Sequence, residues 1–209
     1  MIIDLHAHTA PLSDDSILAP DELIVRTKRA GFDGICLTEH DWFWDPAKVA
    51  TLSKRHHFPV FAGCEITTEE GHLLVFGLER YVFGMHHSHF VRHMVDERGG
   101  AIIVAHPYRR HYRSEIEMRY IDYDPVERAC ANPMFALVDG IEVCNGRGTE
   151  EENAFAAEVG RRLNLHTTGG SDSHELVDIG RSATEFERGV DSIEDLIREL
   201  RHGRFRALA

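Results

Sequence analysis

The amino-acid sequence predicts an α/β protein, and a closed or nearly closed β/α barrel fits it better than an open doubly wound sheet. Short apolar runs alternate with helical segments along the whole chain, which is typical of a parallel sheet with crossover helices. Nearly every apolar run ends on a histidine or a carboxylate, and β/α barrels build their sites from the carboxyl ends of several strands. A chain of 209 residues with 43% hydrophobic residues suits one domain over residues 1–209.

The first half of the chain begins with a short strand and a well-marked helix. Met1 to Leu5 is too short for a helix and is predicted as a buried strand. Pro20 starts a helix, because proline suits the first turn and the acids after it suit the positive end of the dipole. Gly31 ends that helix. The other elements of this half are predicted strands at 34–38, 59–66 and 72–77 and predicted helices at 45–56 and 86–98.

The second half continues the alternation around one irregular stretch. An apolar run at 101–105 is predicted as a strand that stops at Pro107. Residues 108–133 are predicted to form an irregular insertion with a short helix. Thr149 caps a helix that runs to about residue 163. The other predicted elements are strands at 137–143, 183–186 and 205–208 and a helix at 192–202.

Charge and composition argue against several functional classes. The formal net charge of −12 disfavours sequence-independent binding to nucleic acid, which requires clustered lysine and arginine. We expect no signal peptide and no membrane partner, since no apolar run approaches the ~20 residues that span a bilayer. The four cysteines are far apart and are expected to be reduced thiols of a cytoplasmic protein. The composition gives no prediction of oligomeric state.

Two pairs of metal-binding side chains carry the functional prediction. His6 and His8 follow the first strand, and alternate side chains of a strand point the same way, so the two imidazoles project together. Alone, this pair is better explained as ordinary polar residues at a strand end. Asp172 and His174 repeat the spacing, so a second pair is expected to point into the same space.

Further strand ends supply more residues of the same types. His40, Glu65 and His106 end apolar runs, and His72 begins the strand that returns after Glu65. Strand ends of a barrel converge on one mouth, so these side chains are predicted to form one cluster. The mixed set suits Zn²⁺, Mn²⁺ or Fe²⁺ and exceeds what one ion needs, which predicts two or three ions. No cysteine is among the candidates, which argues against a closed structural zinc site.

Taken together and in this order, the motifs resemble those of the PHP (polymerase and histidinol phosphatase) family of metal-dependent phosphoesterases. The resemblance implies a distorted (β/α)7-type barrel with a trinuclear metal site. It also implies hydrolysis of a phosphate ester by metal-bound hydroxide, with a phosphomonoester favoured over a phosphodiester. The segments that carry the resemblance are DLHAHT at 4–9, TEHD at 38–41, GCEI at 63–66, AHP at 105–107 and SDSH at 171–174.

The resemblance also divides the candidate ligands among three ions. An aspartate of the 13–16 loop completes the second set; Asp15 is favoured because it keeps a familiar spacing to Pro20, and Asp14 is equally suitable chemically. Glu65 is the expected bridging ligand, and Glu65, Asp172 and His174 are the predicted catalytic residues. The three implied sets are His6, His8, Glu65 and Asp172; Asp15, His40 and His174; and Glu65, His72 and His106.

Two arginines are candidates for binding a small phosphorylated substrate. Arg109 and Arg147 each lie just beyond a strand end, and a guanidinium group matches phosphate oxygens. Loop arginines that pair with acids are the alternative explanation. The histidines at 86, 87, 89 and 93 follow no strand end and are interpreted as the solvated face of a helix.

Other functions stay open at this point. The same barrel plan serves metal-dependent hydrolases of C–N and C–O bonds, although no strand end here carries a lysine for a carbamylated bridge. A non-catalytic module that keeps the fold is less favoured, because the candidate ligand set looks complete. The chain also lacks the long insertion of family members that act on nucleotides or short RNA, which disfavours such substrates.

Overall fold

A computed structural model describes residues 1–109 and 124–209. The described strands are β1 Ile2–Asp4, β2 Gly34–Leu37, β3 Val60–Ala62, β4 Cys64–Thr67, β5 His72–Phe76, β6 Ala101–Val104, β7 Gly140–Asn145, β8 Thr167–Gly170, β9 Ala183–Phe186 and β10 Phe205–Leu208. The described α-helices are α1 Pro20–Arg29, α2 Pro46–His56, α3 Ser88–Arg98, α4 Pro125–Cys130, α5 Glu150–Leu163 and α6 Ile193–His202. Most of the insertion predicted at 108–133 lies outside the described residues.

The strands form two five-stranded mixed sheets. The first has the order β10-β9-β1-β2-β3, and the second has the order β4-β5-β6-β7-β8. Strands β1, β2 and β3 are parallel, as are β6, β7 and β8, whereas β9 and β5 run antiparallel to both of their neighbours. The α/β prediction is confirmed. The closed barrel is not confirmed, because in the described ranges no continuous hydrogen-bonded ladder joins the two sheets.

Two isolated parallel bridges nevertheless link the two sheets. One pairs Ala7 with Ser173, and the other pairs His40 with Glu65. The backbone N–H of His8 donates to the Ser173 carbonyl at 3.0 Å, and that of Glu65 donates to the Glu39 carbonyl at 3.0 Å. The strand ends that carry the candidate ligands therefore meet at one place.

The single strand predicted at 59–66 is wrong. The chain forms β3 and β4 there, in different sheets, with Gly63 between them. A Cβ atom at Gly63 would lie 2.8 Å from a ring carbon of Phe76 and 2.9 Å from the Thr38 methyl group. Glycine is therefore the residue that lets the chain cross closely from one sheet to the other.

Helix boundaries mostly follow the caps that the sequence contains. Thr149 and Glu152 form both hydrogen bonds of a capping box at the start of α5. Helix α3 begins at Ser88, not at 86, and ends at Arg98, where it is capped by Gly99, whose φ of 68° is left-handed. The strand predicted at 137–143 also begins later, since residues 133–137 form a 3₁₀ helix capped by the Asn132 side chain.

The core lies between the sheets and the surrounding helices. Both faces of β2 and β6 are buried, as expected for strands covered on two sides. Leu196 and Leu200 on α6 are fully buried, and full burial of such a side chain contributes about 1.5–3 kcal/mol. Within the described ranges, no helix is both long and apolar enough to cross a membrane.

Candidate metal centre

The Glu65 carboxylate on β4 lies at the centre of a cluster of histidines. It is fully buried, and five imidazole rings surround it. Its two oxygens face different rings, as a bridging ligand would require. The contacts are 3.2 Å from Oε2 to His6 Nε2, 3.2 Å from Oε2 to His8 Nε2, 3.1 Å from Oε2 to His40 Nδ1, 2.8 Å from Oε1 to His72 Nδ1 and 2.9 Å from Oε1 to His106 Nε2.

Asp172, which follows β8, adds a second buried carboxylate to the cluster. Its Oδ1 lies 3.6 Å from Nε2 of His6 and 3.4 Å from Nε2 of His8. The oxygens of Asp172 and Glu65, both carried by the second sheet, thus approach the same two imidazoles, which follow β1 of the first sheet. This juxtaposition matches the first predicted ligand set.

Asp15 and His174 lie on the other side of His8. Oδ2 of Asp15 is 3.0 Å from Nε2 of His174 and 3.4 Å from Nε2 of His40. The rings of His8 and His174 have centroids 4.3 Å apart, and those of His8 and His40 are 4.2 Å apart. Of the two loop aspartates that the sequence offered, Asp15 is the one with these contacts. The structure therefore brings all nine predicted ligands together, and we call them the candidate metal centre.

Two of these residues have unusual backbone conformations. His106 has a φ of 24° and Asp172 has a φ of 52°. Non-glycine residues rarely adopt positive φ, and such strain concentrates at functional sites, where the surrounding structure imposes it. Asp41, which follows the ligand His40, also has a positive φ of 50°, so three of the strand ends that meet here carry this conformation.

Charge interactions set the protonation of the cluster. Burial acts to raise the pKa of Glu65, but interactions with His6 and His106 outweigh it and hold this pKa well below its ordinary value. The pKa of Asp172 is likewise held well below its ordinary value, because His6, His8 and His106 together outweigh the effect of burial. Burial lowers the pKa of His174. Ionised carboxylates and a neutral imidazole are the forms that bind cations.

Several buried atoms of the centre also lack hydrogen-bond partners. Nε2 of His8, Oδ1 of Asp172 and Nε2 of His174 are buried and make no hydrogen bond. A buried polar atom without a partner costs about 1–3 kcal/mol, so such atoms are rare unless they serve another purpose. Since imidazole nitrogens and carboxylate oxygens are divalent-cation ligands, the residues present fit a metal site.

Sequence reasoning missed Glu142, a buried acid in the middle of β7. Its Oε1 lies 3.1 Å from Nδ1 of His6, and its Oε2 accepts hydrogen bonds from the His106 backbone at 2.8 Å and the Asn145 amide at 3.0 Å. A carboxylate only accepts, so Nδ1 of His6 carries a proton, and in the neutral ring Nε2 is then the unprotonated nitrogen on the Glu65 side that can bind a cation. The signal was a glutamate inside an apolar strand, because glutamate is rarely buried without a partner.

Glu39 organises the loop that follows β1. It is fully buried and accepts hydrogen bonds from the Thr9 backbone at 2.8 Å and from the Ser13 hydroxyl at 2.6 Å. Ser13 Oγ in turn lies 3.2 Å from Nδ1 of His8 and accepts from the His40 backbone at 3.3 Å. Glu39 therefore orients His8 through Ser13.

Asp4 and Gly170 fix the junction between β1 and β8. Oδ1 of Asp4 accepts from the backbone N–H groups of His6 at 3.1 Å and Ser171 at 2.9 Å, and burial raises the pKa of Asp4 to about 6. A Cβ atom at Gly170 would lie 2.5 Å from His6 Cβ and 2.7 Å from Glu142 Oε1. The absence of a side chain at Gly170 thus allows His6 and Glu142 to meet.

The two predicted substrate-binding arginines occupy different positions. The guanidinium group of Arg109 contacts the Asp172 carboxylate and donates to the Asn145 amide oxygen at 3.3 Å, so Arg109 lies at the centre. Nε of Arg147 is 4.0 Å from Oδ2 of Asp178, the oxygen that accepts the His174 backbone N–H. Arg147 is therefore linked to the candidate metal centre through Asp178, whereas Arg109 contacts the centre directly.

Solved structures similar to this chain share its fold. A Bifidobacterium adolescentis protein assigned as a metal-dependent phosphoesterase has a TM-score of 0.62 at 16% identity, with 95% of each chain covered. PsfC from Pseudomonas syringae PB-5123 has a TM-score of 0.64 at 20% identity, with 99% of this chain and 90% of PsfC covered. An amidohydrolase from Chromobacterium violaceum has a TM-score of 0.59 at 21% identity, with 97% and 96% covered.

Curated proteins and family profiles give the closer sequence relationships. The uncharacterized protein MJ1587 of Methanocaldococcus jannaschii is 26% identical over 156 residues, which are 69% of this chain and 82% of that protein. An error-prone DNA polymerase of Nocardia farcinica is 33% identical over 64 residues, only 6% of its length. The PHP domain profile matches residues 4–159, and the PHP-associated profile matches residues 150–205. This chain therefore belongs to the PHP family.

Proposed function

We propose that this chain hydrolyses phosphate esters with the help of two or three divalent ions, which are zinc, manganese or iron. The observation that carries the proposal is the position of Glu65, whose two oxygens face two separate groups of imidazoles. Membership in the PHP family and the fold shared with a protein assigned as a metal-dependent phosphoesterase support it.

Three groups of residues would hold the ions in this proposal. Glu65 would belong to two of them, because its Oε1 and Oε2 point to different rings. When bound, divalent ions supply a stronger nucleophile near neutral pH and offset charge on phosphoryl oxygens. The proposed groups are His6, His8, Glu65 and Asp172; Asp15, His40 and His174; and Glu65, His72 and His106.

The protein's own residues would orient these groups and bind the ester. Glu142 and Ser13 fix the rotation of the His6 and His8 rings, so that their Nε2 atoms face the centre. Arg109 and Arg147 would bind phosphoryl oxygens, with Arg109 leaving its contact with Asp172 to do so. Two guanidinium groups match the double charge of a phosphomonoester better than the single charge of a phosphodiester, which favours the monoester.

We further propose that the two sheets form one distorted seven-stranded barrel. The seven strands of this barrel would be β1, β2 and β4 to β8. The bridges Ala7–Ser173 and His40–Glu65 support this, since each links strands of different sheets. The mouth of such a barrel would coincide with the candidate metal centre, as it does in β/α barrels generally.

A substrate panel tests the proposed activity. Metal-stripped protein is supplied with Mn²⁺ or Zn²⁺ and assayed with an aryl phosphate, a diaryl phosphate, an aryl amide and a lactone. We expect the aryl phosphate to be hydrolysed fastest, and turnover to fall at least 100-fold in His6→Ala and Asp172→Ala but not in the exposed control His93→Ala. Unchanged turnover in either centre variant, or faster turnover of the amide or lactone, would contradict the proposal.

Elemental analysis separates this function from a non-catalytic role. A catalytic centre should retain at least two equivalents of divalent metal after reconstitution. Protein that is folded yet resists reconstitution would favour a module that keeps the fold without the chemistry.

A further inference from the structure

A second group of metal-binding side chains lies between the β4–β5 turn and the start of α3. It comprises Glu69, His86 and His87, and we call it the rim cluster. One ligand atom from each of the three residues lies within 4.8 Å of the other two. We propose that the rim cluster binds one divalent transition-metal ion of the zinc type, separately from the candidate metal centre.

The spacing within the rim cluster suits one small ion. Nδ1 of His87 lies 3.3 Å from Oε2 of Glu69. Two ligands of a tetrahedral zinc ion, each about 2.0–2.1 Å from the metal, lie about 3.3 Å apart, so this pair is already at the required distance. The rings of His86 and His87 have centroids 4.0 Å apart, which places the third ligand beside the pair. Two imidazoles and one carboxylate form the mixed set that zinc, nickel and copper bind.

Hydrogen bonds hold the two segments of the rim cluster together. The backbone N–H of Glu69 donates to the His86 carbonyl at 2.9 Å, and that of Ser88 donates to a Glu70 carboxylate oxygen at 3.3 Å. The Asn132 amide donates to the Glu70 carbonyl at 3.1 Å. Because the backbone is already fixed, an ion has to order only side chains, which lowers the entropic cost of binding.

His93 on α3 shows what a histidine outside such a cluster looks like. Its Nε2 lies 3.5 Å from Oε1 of Glu97, one helical turn away, and both side chains are exposed. In the part of the chain that the structure describes, no third ligand completes that pair. The histidines at 86 and 87 differ because they precede the helix, contrary to the expectation that they form its solvated face.

The rim cluster also has a structural connection to the candidate metal centre. The turn that carries Glu69 leads directly into β5, whose first residue is His72. Glu69 lies four positions after Glu65, which is at most about 13 Å of extended chain. An ion in the rim cluster would tie this turn to the segment before α3 and thereby restrict the motion of His72.

Counting bound ions tests the proposal. Metal-stripped full-length protein is titrated with Zn²⁺ by calorimetry, and the count is checked by elemental analysis after gel filtration. We expect the His86→Gln/His87→Gln variant to bind one equivalent fewer than wild type. The matched control, His89→Gln/His93→Gln, removes two exposed histidines of α3 and should bind as many ions as wild type. Equal counts in all three proteins would overturn the proposal.

A second variant separates the rim cluster from the candidate metal centre. In His6→Ala protein, the same pair of substitutions at 86 and 87 should still remove one equivalent, even if the main centre binds nothing. Hydrogen exchange of the amides at 68–72 should be slowed several-fold more by Zn²⁺ in wild type than in the 86/87 variant. If Zn²⁺ protected these amides equally in both proteins, the link to the turn would be wrong.

Discussion

Replacing Glu142 by glutamine tests how the protein prepares His6 to bind a cation. The carboxylate accepts from the His106 backbone at 2.8 Å and faces Nδ1 of His6 at 3.1 Å. A neutral histidine that donates through Nδ1 has no proton on Nε2, and Nε2 of His6 is the atom that faces Glu65 at 3.2 Å. The Glu142 carboxylate therefore selects the tautomer that a metal centre requires.

The expected loss of metal affinity and of stability in Glu142→Gln follows from the number of acceptor oxygens at this position. Glutamine keeps the shape of Glu142 but has one acceptor oxygen in place of two, so it serves either the His106 N–H or Nδ1 of His6. Losing a carboxylate partner of a ligand histidine typically costs 10–100-fold in metal affinity, which is about 1.4–2.7 kcal/mol. The buried donor left without a partner lowers the free energy of unfolding by a further ~1–3 kcal/mol.

The assay measures Zn²⁺ affinity by competition with a chromophoric chelator, alongside urea unfolding. Glu185→Gln is the matched control, because it removes a carboxylate from a surface ion pair with Arg206. We expect binding 10–100-fold weaker in Glu142→Gln and unchanged in the control. If folded Glu142→Gln protein bound Zn²⁺ as tightly as wild type, the reasoning about the His6 tautomer would be refuted.

Two further predictions concern stability. Gly63→Ala should lower the free energy of unfolding by about 1–3 kcal/mol in urea, because the new methyl group would lie 2.8 Å from the Phe76 ring; unchanged stability would contradict this account of the sheet crossing. Hydrogen bonds from Arg204 lower the pKa of Glu199 to about 2 against burial, so its stabilisation is complete above the ordinary pKa of 4.5 and is lost as the pH falls towards 2. Wild type and Glu199→Gln should therefore differ in free energy of unfolding at pH 7 and converge near pH 2, and a constant difference across this range would count against the ion pair.

Much of the fold was predictable because local signals decide where elements begin and end. Pro20 and the Thr149–Glu152 capping box act within a few residues, and the structure has helices starting at both places. The break at Gly63 was not predictable in this way. Whether a Cβ atom fits there depends on Phe76, whose distance from Gly63 only the folded sheets determine. Apart from Glu65, residues 60–66 carry no charged side chain and no turn signal other than Gly63, so the sequence alone favoured one strand.

The candidate centre shows the same division between local and long-range information. Histidines and carboxylates at strand ends could be recognised from their spacing, and the structure brings them together. Glu142 lies inside a strand rather than at its end, so reasoning about strand ends passed over it. The sequence also placed His86 and His87 on the solvated face of a helix, because they follow no strand end. Their position before α3, opposite Glu69, depends on the contact between two separate loops.

The candidate centre also joins the two sheets to each other. His6, His8 and His40 follow strands of the first sheet, whereas Glu65 and Asp172 belong to the second. The proposed group of Glu65, His72 and His106 lies on the second sheet alone, but the other two proposed groups are completed only where residues of both sheets meet. Ions bound between them contribute their binding free energy to the contact between the sheets, since that geometry exists only in the folded chain. The residues that would hold the ions for catalysis would thus also determine how firmly the two halves of the fold are held together.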